Sequence, residues 1–404
     1  MAAAGSKLAN LCRIAYGASP KASRIACDVV RDSMPPLCTR LAVTHGRSKQ
    51  ASKVSGEPVF HCRPRHSEKQ PVERIPRTMR LWLKVLAAAA VIGASAQGFG
   101  VSCTMQAELS AADRDALATA GTRIAVAIAG QDLTGLKAAL FPAEASAWDS
   151  IGATVDQGQA LLQGGQITIR DVFLLDASAQ QAPADTQFFC SNASGSLTVT
   201  ILMRELPPGR YAVVLADAVG SPLAGQLGLI LAWDQASSRW MLAGLTLRPG
   251  ALDGHDGVWY WKRARDLAAD DPWSAWYMYD TAHFLLLPVD FMSSPNLEKL
   301  QQEQSQISPD PLKALPLSIP DGDRTWKIVG VSLDASLREP DLAVAYQSTG
   351  VTDPAALRTE ATAVLSAFLK TEPGIRANFH GLWAYAVNGD RRTPVMELPM
   401  KQIP

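Results

Sequence analysis

A histidine flanked by carboxylates is the first chemically suggestive feature of this 404-residue chain. His255 lies between Asp253 and Asp256 in a short run that also holds two glycines. An imidazole next to carboxylates can form an acid/base pair or bind a metal ion. The same run also fits a polar turn in which Asp256 caps the helix that follows. His255 and Asp256 are therefore kept as catalytic candidates, with the turn as the alternative.

Two further histidines lie in the same half of the chain. His283 follows Tyr279 and Asp280 by four and three residues on a predicted helix, so the three polar groups share a face. It is a third catalytic candidate, or else a packed and hydrogen-bonded histidine. His380 precedes a predicted strand and has no partner near it in sequence, so we interpret it as structural.

A cluster of aromatic residues is the strongest compositional feature. Aromatic rings provide a large contact area with a polar tip, which suits a groove for a glycan or peptide. They suit equally well the packing of two helices against flanking domains. The ligand-binding candidates on the first interpretation are Trp259, Trp261, Trp273, Trp276 and Tyr277.

The sequence lacks the motifs of the common catalytic and cofactor sites. It contains no phosphate loop GxxxxGK[ST], no GxGxxG after a strand, no HExxH, no CxxC and no GxSxG. Each of these motifs places ligands or a nucleophile at a fixed spacing. Their absence therefore argues against nucleotide, dinucleotide and zinc chemistry. We therefore predict no cofactor and no metal site.

Residues 79–96 predict export. A short basic start is followed by an apolar, alanine-rich run and by Ala94-Ser95-Ala96, which is typical of a secretory signal peptide. A membrane-spanning helix needs roughly 20 apolar residues, more than this run provides. We expect a secreted or periplasmic protein. The alternative is a membrane anchor through residues 81–101.

Charge separates the chain into two unlike parts. Residues 1–78 carry 14 Lys and Arg against 5 Asp and Glu without helical or strand periodicity, so we interpret them as a disordered or mis-assigned extension. Residues 97–404 carry 22 Lys and Arg against 33 Asp and Glu. An acidic body disfavours nucleic acid and anionic membranes. The expected partner is a small ligand, a glycan or an envelope protein, with no nucleic acid and no stable membrane insertion after cleavage.

Two cysteines, Cys103 and Cys190, remain after the predicted signal peptide. In an oxidising compartment, two cysteines most simply form one disulfide bond. The alternative is a pair of buried thiols.

Periodicity and turn signals predict an α+β fold in three modules. Helices followed by an antiparallel meander sheet occupy 105–249, an aromatic helical hairpin occupies 255–307, and a ββαββ unit occupies 324–400. Four prolines indicate a linker over 308–323.

Three resemblances accompany this pattern. The order of elements in 105–249 resembles the nuclear transport factor two-like (cystatin-like) cone, which implies a curved sheet around helices with a pocket. The helical hairpin, with alanines at close-approach positions, looks like a single tetratricopeptide-type unit. Together with LLLPVDFMSSPNLEKL and a closing FHGLW…ELPM, the hairpin resembles a family of exported bacterial proteins of unassigned function.

These observations lead to two functional hypotheses. The first is a non-enzymatic exported protein that binds a ligand or partner in the cell envelope. The second is an acid/base hydrolase or isomerase with its site in the cone pocket. An open apolar cavity would favour the first, and a buried Asp or His with a shifted pKa would favour the second.

Overall fold

The computed structural model describes residues 100–195, 197–308, 310–336 and 338–404. Its helices and mainly antiparallel sheets confirm the predicted α+β class. The helices are α1 (Ala111–Ala129), α2 (Leu133–Ala138), α3 (Trp148–Leu162), α4 (Gly257–Leu267), α5 (Pro272–Leu286), α6 (Pro295–Ser305), α7 (Pro354–Thr371) and α8 (Gly374–Asn378), with short 3-10 turns at Gln106–Glu108, Pro142–Ala147 and Met400–Gln402. None of the described helices is long and apolar enough to cross a membrane. The predicted extension 1–78 and signal peptide 79–96, and nearly all of the alternative anchor 81–101, lie outside the described residues.

A five-stranded antiparallel sheet organises the first part of the described chain. Its strands, in spatial order, are β1 (Ser102–Met105), β2 (Gln166–Asp176), β5 (Arg210–Val219), β6 (Gln226–Asp234) and β7 (Arg239–Arg248). Helices α1 to α3 cover one face of this sheet, and Leu117, Ile124 and Val155 belong to the apolar core between them. Helix α1 begins where its capping sequence predicts, because the Ser110 side chain accepts a hydrogen bond from the Asp113 N–H at 3.1 Å.

A smaller sheet packs on the opposite face. Its strands, in spatial order, are β10 (Met292–Ser293), β4 (Thr198–Leu206) and β3 (Ala184–Ser191). Phe188 and Ile201 of this sheet share a second apolar core with Val213 of β5. Cys103 in β1 and Cys190 in β3 form a disulfide bond with an S–S distance of 2.00 Å, which confirms the predicted pairing. The bond therefore ties the two sheets together covalently.

A two-stranded ribbon leads into the aromatic helices. Its strands are β8 (Ala251–Leu252) and β9 (His255–Asp256). Asp253 and Gly254 between them have φ angles of 45° and 72°, the left-handed pair that a tight hairpin turn requires. Helices α4 and α5 then pack against each other. Asp271 caps α5 by accepting from the Ser274 N–H at 3.0 Å, with Pro272 as the first helical residue, as the sequence predicts.

The chain ends in a third sheet backed by two helices. Its strands, in spatial order, are β11 (Leu317–Asp321), β12 (Arg324–Asp334), β13 (Asp341–Gln347), β14 (Gly381–Asn388) and β15 (Arg391–Pro399). Strands β13 and β14 are parallel, and α7 and α8 form the crossover between them, while the other neighbours are antiparallel. Strand β11 is a correction to the predicted linker 308–323, whose last residues belong to this sheet. Ile319 is buried opposite Trp326, and Pro320 is tolerated because β11 is an edge strand.

The aromatic hairpin and this third sheet share one apolar core. Trp273 and Tyr277 of α5 lie in the same buried cluster as Val344 of β13 and Phe368 of α7. The Tyr277 hydroxyl also donates to the Val331 carbonyl oxygen at 3.2 Å. The segments 255–307 and 324–400 are therefore held together by shared packing.

Candidate functional site

A cavity of about 580 Å³ opens between the two sheets of the first module and the aromatic hairpin. We call it the inter-sheet cavity. Its apolar lining includes Phe173, Val199, Leu215, Leu285, Met292 and Leu297. Small-molecule sites typically have volumes of about 300–1,000 Å³ and mostly apolar walls. This cavity lies on the face of the five-stranded sheet opposite α1 to α3. A cone-like fold would instead place its pocket between sheet and helices.

A polar network closes one side of the inter-sheet cavity. Arg170 donates from Nη1 to Asp217 Oδ1 at 2.9 Å and to Gln226 Oε1 at 3.3 Å, and from Nε to Asp171 at 3.1 Å. Gln226 in turn donates to the Leu285 carbonyl oxygen at 2.8 Å, which connects the sheet to helix α5. Burial raises the pKa of Asp217, while its ion pair with Arg170 acts in the opposite direction. The network thus gives an otherwise apolar cavity one polar wall.

Exposed apolar side chains surround the mouth of the same cavity. Leu197, Val219 and Val258 all line it and all are largely exposed. Single exposed apolar residues are ordinary on protein surfaces. Several of them grouped at one concave opening are a feature of ligand or partner sites.

His255 and Asp256, two of the catalytic candidates, make separate contacts with Trp259. The Asp256 side chain accepts from the Trp259 N–H at 2.8 Å, so it caps helix α4, and it also lines the inter-sheet cavity. His255 stacks on the Trp259 ring at 3.8 Å between centroids and is not among the residues that line the cavity. Asp256 therefore reaches the cavity as a helix cap without an imidazole partner.

His283 is hydrogen-bonded and packed. Its Nε2 lies 3.0 Å from Gln301 Nε2. Burial lowers the pKa of His283, and the charge of Arg248 lowers it further. A neutral imidazole that shares a hydrogen bond with a glutamine amide fits the packed interpretation of this residue.

Most of the aromatic candidates are core residues. Trp273 and Tyr277 are buried. Trp276 is partly buried against the same core. Trp261 is also partly buried, and its Nε1 donates to Glu303 at 2.8 Å. Trp259 is 39% exposed and is the one member of the five that a ligand can reach readily.

A histidine–carboxylate cluster at the third sheet is the group that the sequence interpretation missed. His380 Nδ1 lies 3.1 Å from Asp341 Oδ1, and Glu397 lies with them so that one ligand atom of each is within 4.8 Å of the others. Asp341 is fully buried, whereas the His380 side chain is 42% exposed. Burial raises the pKa of Asp341, and burial and then the charge of Asp341 raise the pKa of Glu397.

Main-chain pairing positions this cluster. The His380 N–H donates to the Pro340 carbonyl oxygen at 3.2 Å, and the His380 carbonyl oxygen accepts from Met400 at 2.9 Å. The parallel register of β13 and β14 pairs Leu342 with Leu382, which brings the residues just before them together. The only sequence signal for the site was therefore a strand-start histidine, since its partners come from distant strands.

A second cleft, of about 920 Å³, lies between α7 and the ends of β12 and β13. Glu360 in this cleft accepts hydrogen bonds from Ser348 Oγ at 2.8 Å and from the Thr349 hydroxyl. Arg324, Lys327 and Gln347 also line this cleft, so its walls are more polar than those of the inter-sheet cavity.

Comparison of the chain with protein-family models, curated proteins and solved structures finds no match in any of the three. The cone-like, tetratricopeptide-like and exported-family resemblances therefore stay predictions. Function has to be argued from the geometry of this chain.

Proposed function

We propose that this chain is an exported, non-enzymatic protein that binds an amphipathic small molecule in the inter-sheet cavity. The observation that carries the proposal is an open, mainly apolar cavity of about 580 Å³ with a single polar wall. The apolar part of the ligand contacts Phe173 and Leu215, and its polar end hydrogen-bonds at the Arg170–Asp217 pair. Apolar walls supply affinity, and a few fixed polar groups supply orientation.

Two observations support export. The pattern at residues 79–96 is that of a signal peptide. The Cys103–Cys190 disulfide is compatible with an oxidising compartment.

Binding is favoured over acid/base catalysis by the residues that line the cavity. Among the described lining residues there is no histidine or cysteine. The partly buried carboxyl group of Asp217 has a raised pKa, and this observation is the one that favours the alternative of a hydrolase or isomerase. Its contact with Arg170 at 2.9 Å makes it part of a structural ion pair. A general base would instead present a free oxygen toward substrate.

The proposal is tested with anilinonaphthalene sulfonate, a fluorescent anion with an apolar ring system. We expect saturable binding at one site of the native protein. Val258→Asn removes apolar contact at the cavity mouth and is expected to weaken binding about fivefold, from roughly 1 kcal/mol of lost apolar contact. Val126→Asn is the matched control, because Val126 is a similarly exposed valine on α1 that does not line the cavity.

Unchanged melting temperatures of both variants would show that neither substitution disturbs folding. An equal loss of affinity in the two valine variants would contradict the proposal, as would fluorescence that never saturates. Either result would show that the dye binds exposed apolar surface in general.

A further inference from the structure

We propose that Asp341, His380 and Glu397 form a binding site for a divalent transition-metal ion such as Zn²⁺. This site lies at one end of the third sheet and is independent of the inter-sheet cavity. One imidazole and two carboxylates are the ligand types that Zn²⁺ and its neighbours bind in proteins.

The spacing of the three groups suits a small cation. Zn²⁺ holds imidazole and carboxylate ligands at about 2.0–2.2 Å, so two ligand atoms in a tetrahedral site lie about 3.4 Å apart. His380 Nδ1 and Asp341 Oδ1 are 3.1 Å apart, close to that value. The three ligand atoms all lie within 4.8 Å of one another, so the third ligand would have to move by at most about 1.4 Å to reach the tetrahedral spacing.

Two buried carboxylate oxygens of the cluster lack a hydrogen-bond partner. Asp341 Oδ2 and Glu397 Oε1 are both inaccessible to solvent and make no hydrogen bond to a described group. An unpaired buried carboxylate oxygen is costly, and a second carboxylate nearby adds repulsion. A bound dication would offset both effects, because buried charges in proteins are normally paired or coordinate metals.

Gly381 leaves space between the two carboxylates. A Cβ atom at this position would lie 2.6 Å from Glu397 Oε1 and 3.0 Å from Asp341 Oδ1. Because glycine has no side chain, the position that a Cβ would occupy on Gly381 is empty. That position lies close to both carboxylate oxygens. The exposed side of His380 provides a path for the ion to enter and a position for a water ligand.

The experiment measures Co²⁺ and Zn²⁺ binding to the full chain. We expect the native protein to bind an ion that gives the intense visible absorption of low-coordinate Co²⁺. We also expect His380→Gln and Glu397→Gln each to lower the stoichiometry by one ion, or the affinity at least tenfold. His283→Gln is the matched control, since it removes a histidine outside the cluster and should leave binding unchanged. Because an ion bound elsewhere in the chain contributes equally to every variant, the difference in stoichiometry between variants reports this site alone.

Thermal melting separates a metal site from a simple ion pair. If the cluster binds metal, a chelator lowers the melting temperature of the native protein and has no effect on His380→Gln. The proposal is overturned if the native protein binds no ion, if His380→Gln and Glu397→Gln retain full stoichiometry, or if His283→Gln loses the ion as well. If His380→Gln is less stable than the native protein, binds as many ions and melts the same with and without chelator, then the cluster is a histidine–aspartate ion pair and does not bind metal.

Discussion

Replacing Trp273 by alanine tests whether the aromatic hairpin is a core element. Trp273 is 5% exposed, and its ring meets Phe368 edge-on at 5.7 Å between centroids and Tyr277 at 6.2 Å. Phe368 lies on α7, so the contact joins the hairpin to the third sheet. Removing a buried tryptophan costs roughly 3–5 kcal/mol, which includes the cavity left behind.

The measurement is a thermal melt of the full chain followed by circular dichroism. A protein of this size loses roughly 2 °C per kcal/mol, so Trp273→Ala should lower the melting temperature by about 6–10 °C. Trp259→Ala is the matched control, because Trp259 is 39% exposed and its main aromatic contact is with His255. We expect that variant to melt within about 2 °C of the native protein.

The two variants together decide between core and groove. A native-like melt of Trp273→Ala would refute the packing argument, since no buried tryptophan can be removed without cost. An equal, large destabilisation by Trp259→Ala would show that exposure is a poor guide to packing in this hairpin.

Two further predictions concern charge and covalent structure. Burial raises the pKa of Asp280 from 3.8 to about 6, so stability falls as pH rises through that interval. Asp280→Asn should therefore stabilise the protein by up to about 3 kcal/mol at pH 7.5 and by nothing near pH 3, and equal melting shifts at both pH values would contradict this. Non-reducing mass spectrometry of protein from its native source should find an N-terminus at Gln97 and the Cys103 and Cys190 peptides joined. Reduction should lower the free energy of unfolding by up to about 4–5 kcal/mol for a span of 87 residues, and an unchanged denaturant midpoint would refute it.

Local signals in the sequence were sufficient for several elements. The helix starts at Ser110 and Asp271 follow from capping side chains that act within three residues. The turn at Asn388-Gly389 follows from the left-handed backbone that the glycine adopts, with φ of 59°. These features depend on short-range sterics and hydrogen bonds, so the sequence alone is enough to predict them.

Other elements depend on partners that are distant in sequence. Strand β3 was not predicted. Its exposed face carries Asp185, Gln187 and Ser191 beside an exposed Phe189, although Phe188 and Cys190 on its other face are buried. Strand β11 has a proline and little length, and it becomes a strand because β12 pairs with it. In both segments, pairing with a neighbouring strand produces a β-strand that the local amino-acid composition does not favour.

The candidate site shows the same division. Asp256 was recognised because its capping role is local. The Asp341–His380 contact was not, because it spans 39 residues and requires the parallel pairing of two strands through a helical crossover. Nothing in the immediate sequence of His380 indicates that two carboxylates meet it.

The ribbon formed by β8 and β9 carries Asp256 in its second strand and Asp253 at its turn. At one end, Asp256 lines the inter-sheet cavity and caps α4. At the turn, Asp253 acts on Glu339, whose pKa is raised first by burial and then by the charge of Asp253. The acidic run noticed first in the sequence therefore contributes a polar group to the inter-sheet cavity and a cap to α4, while its other carboxylate acts on Glu339.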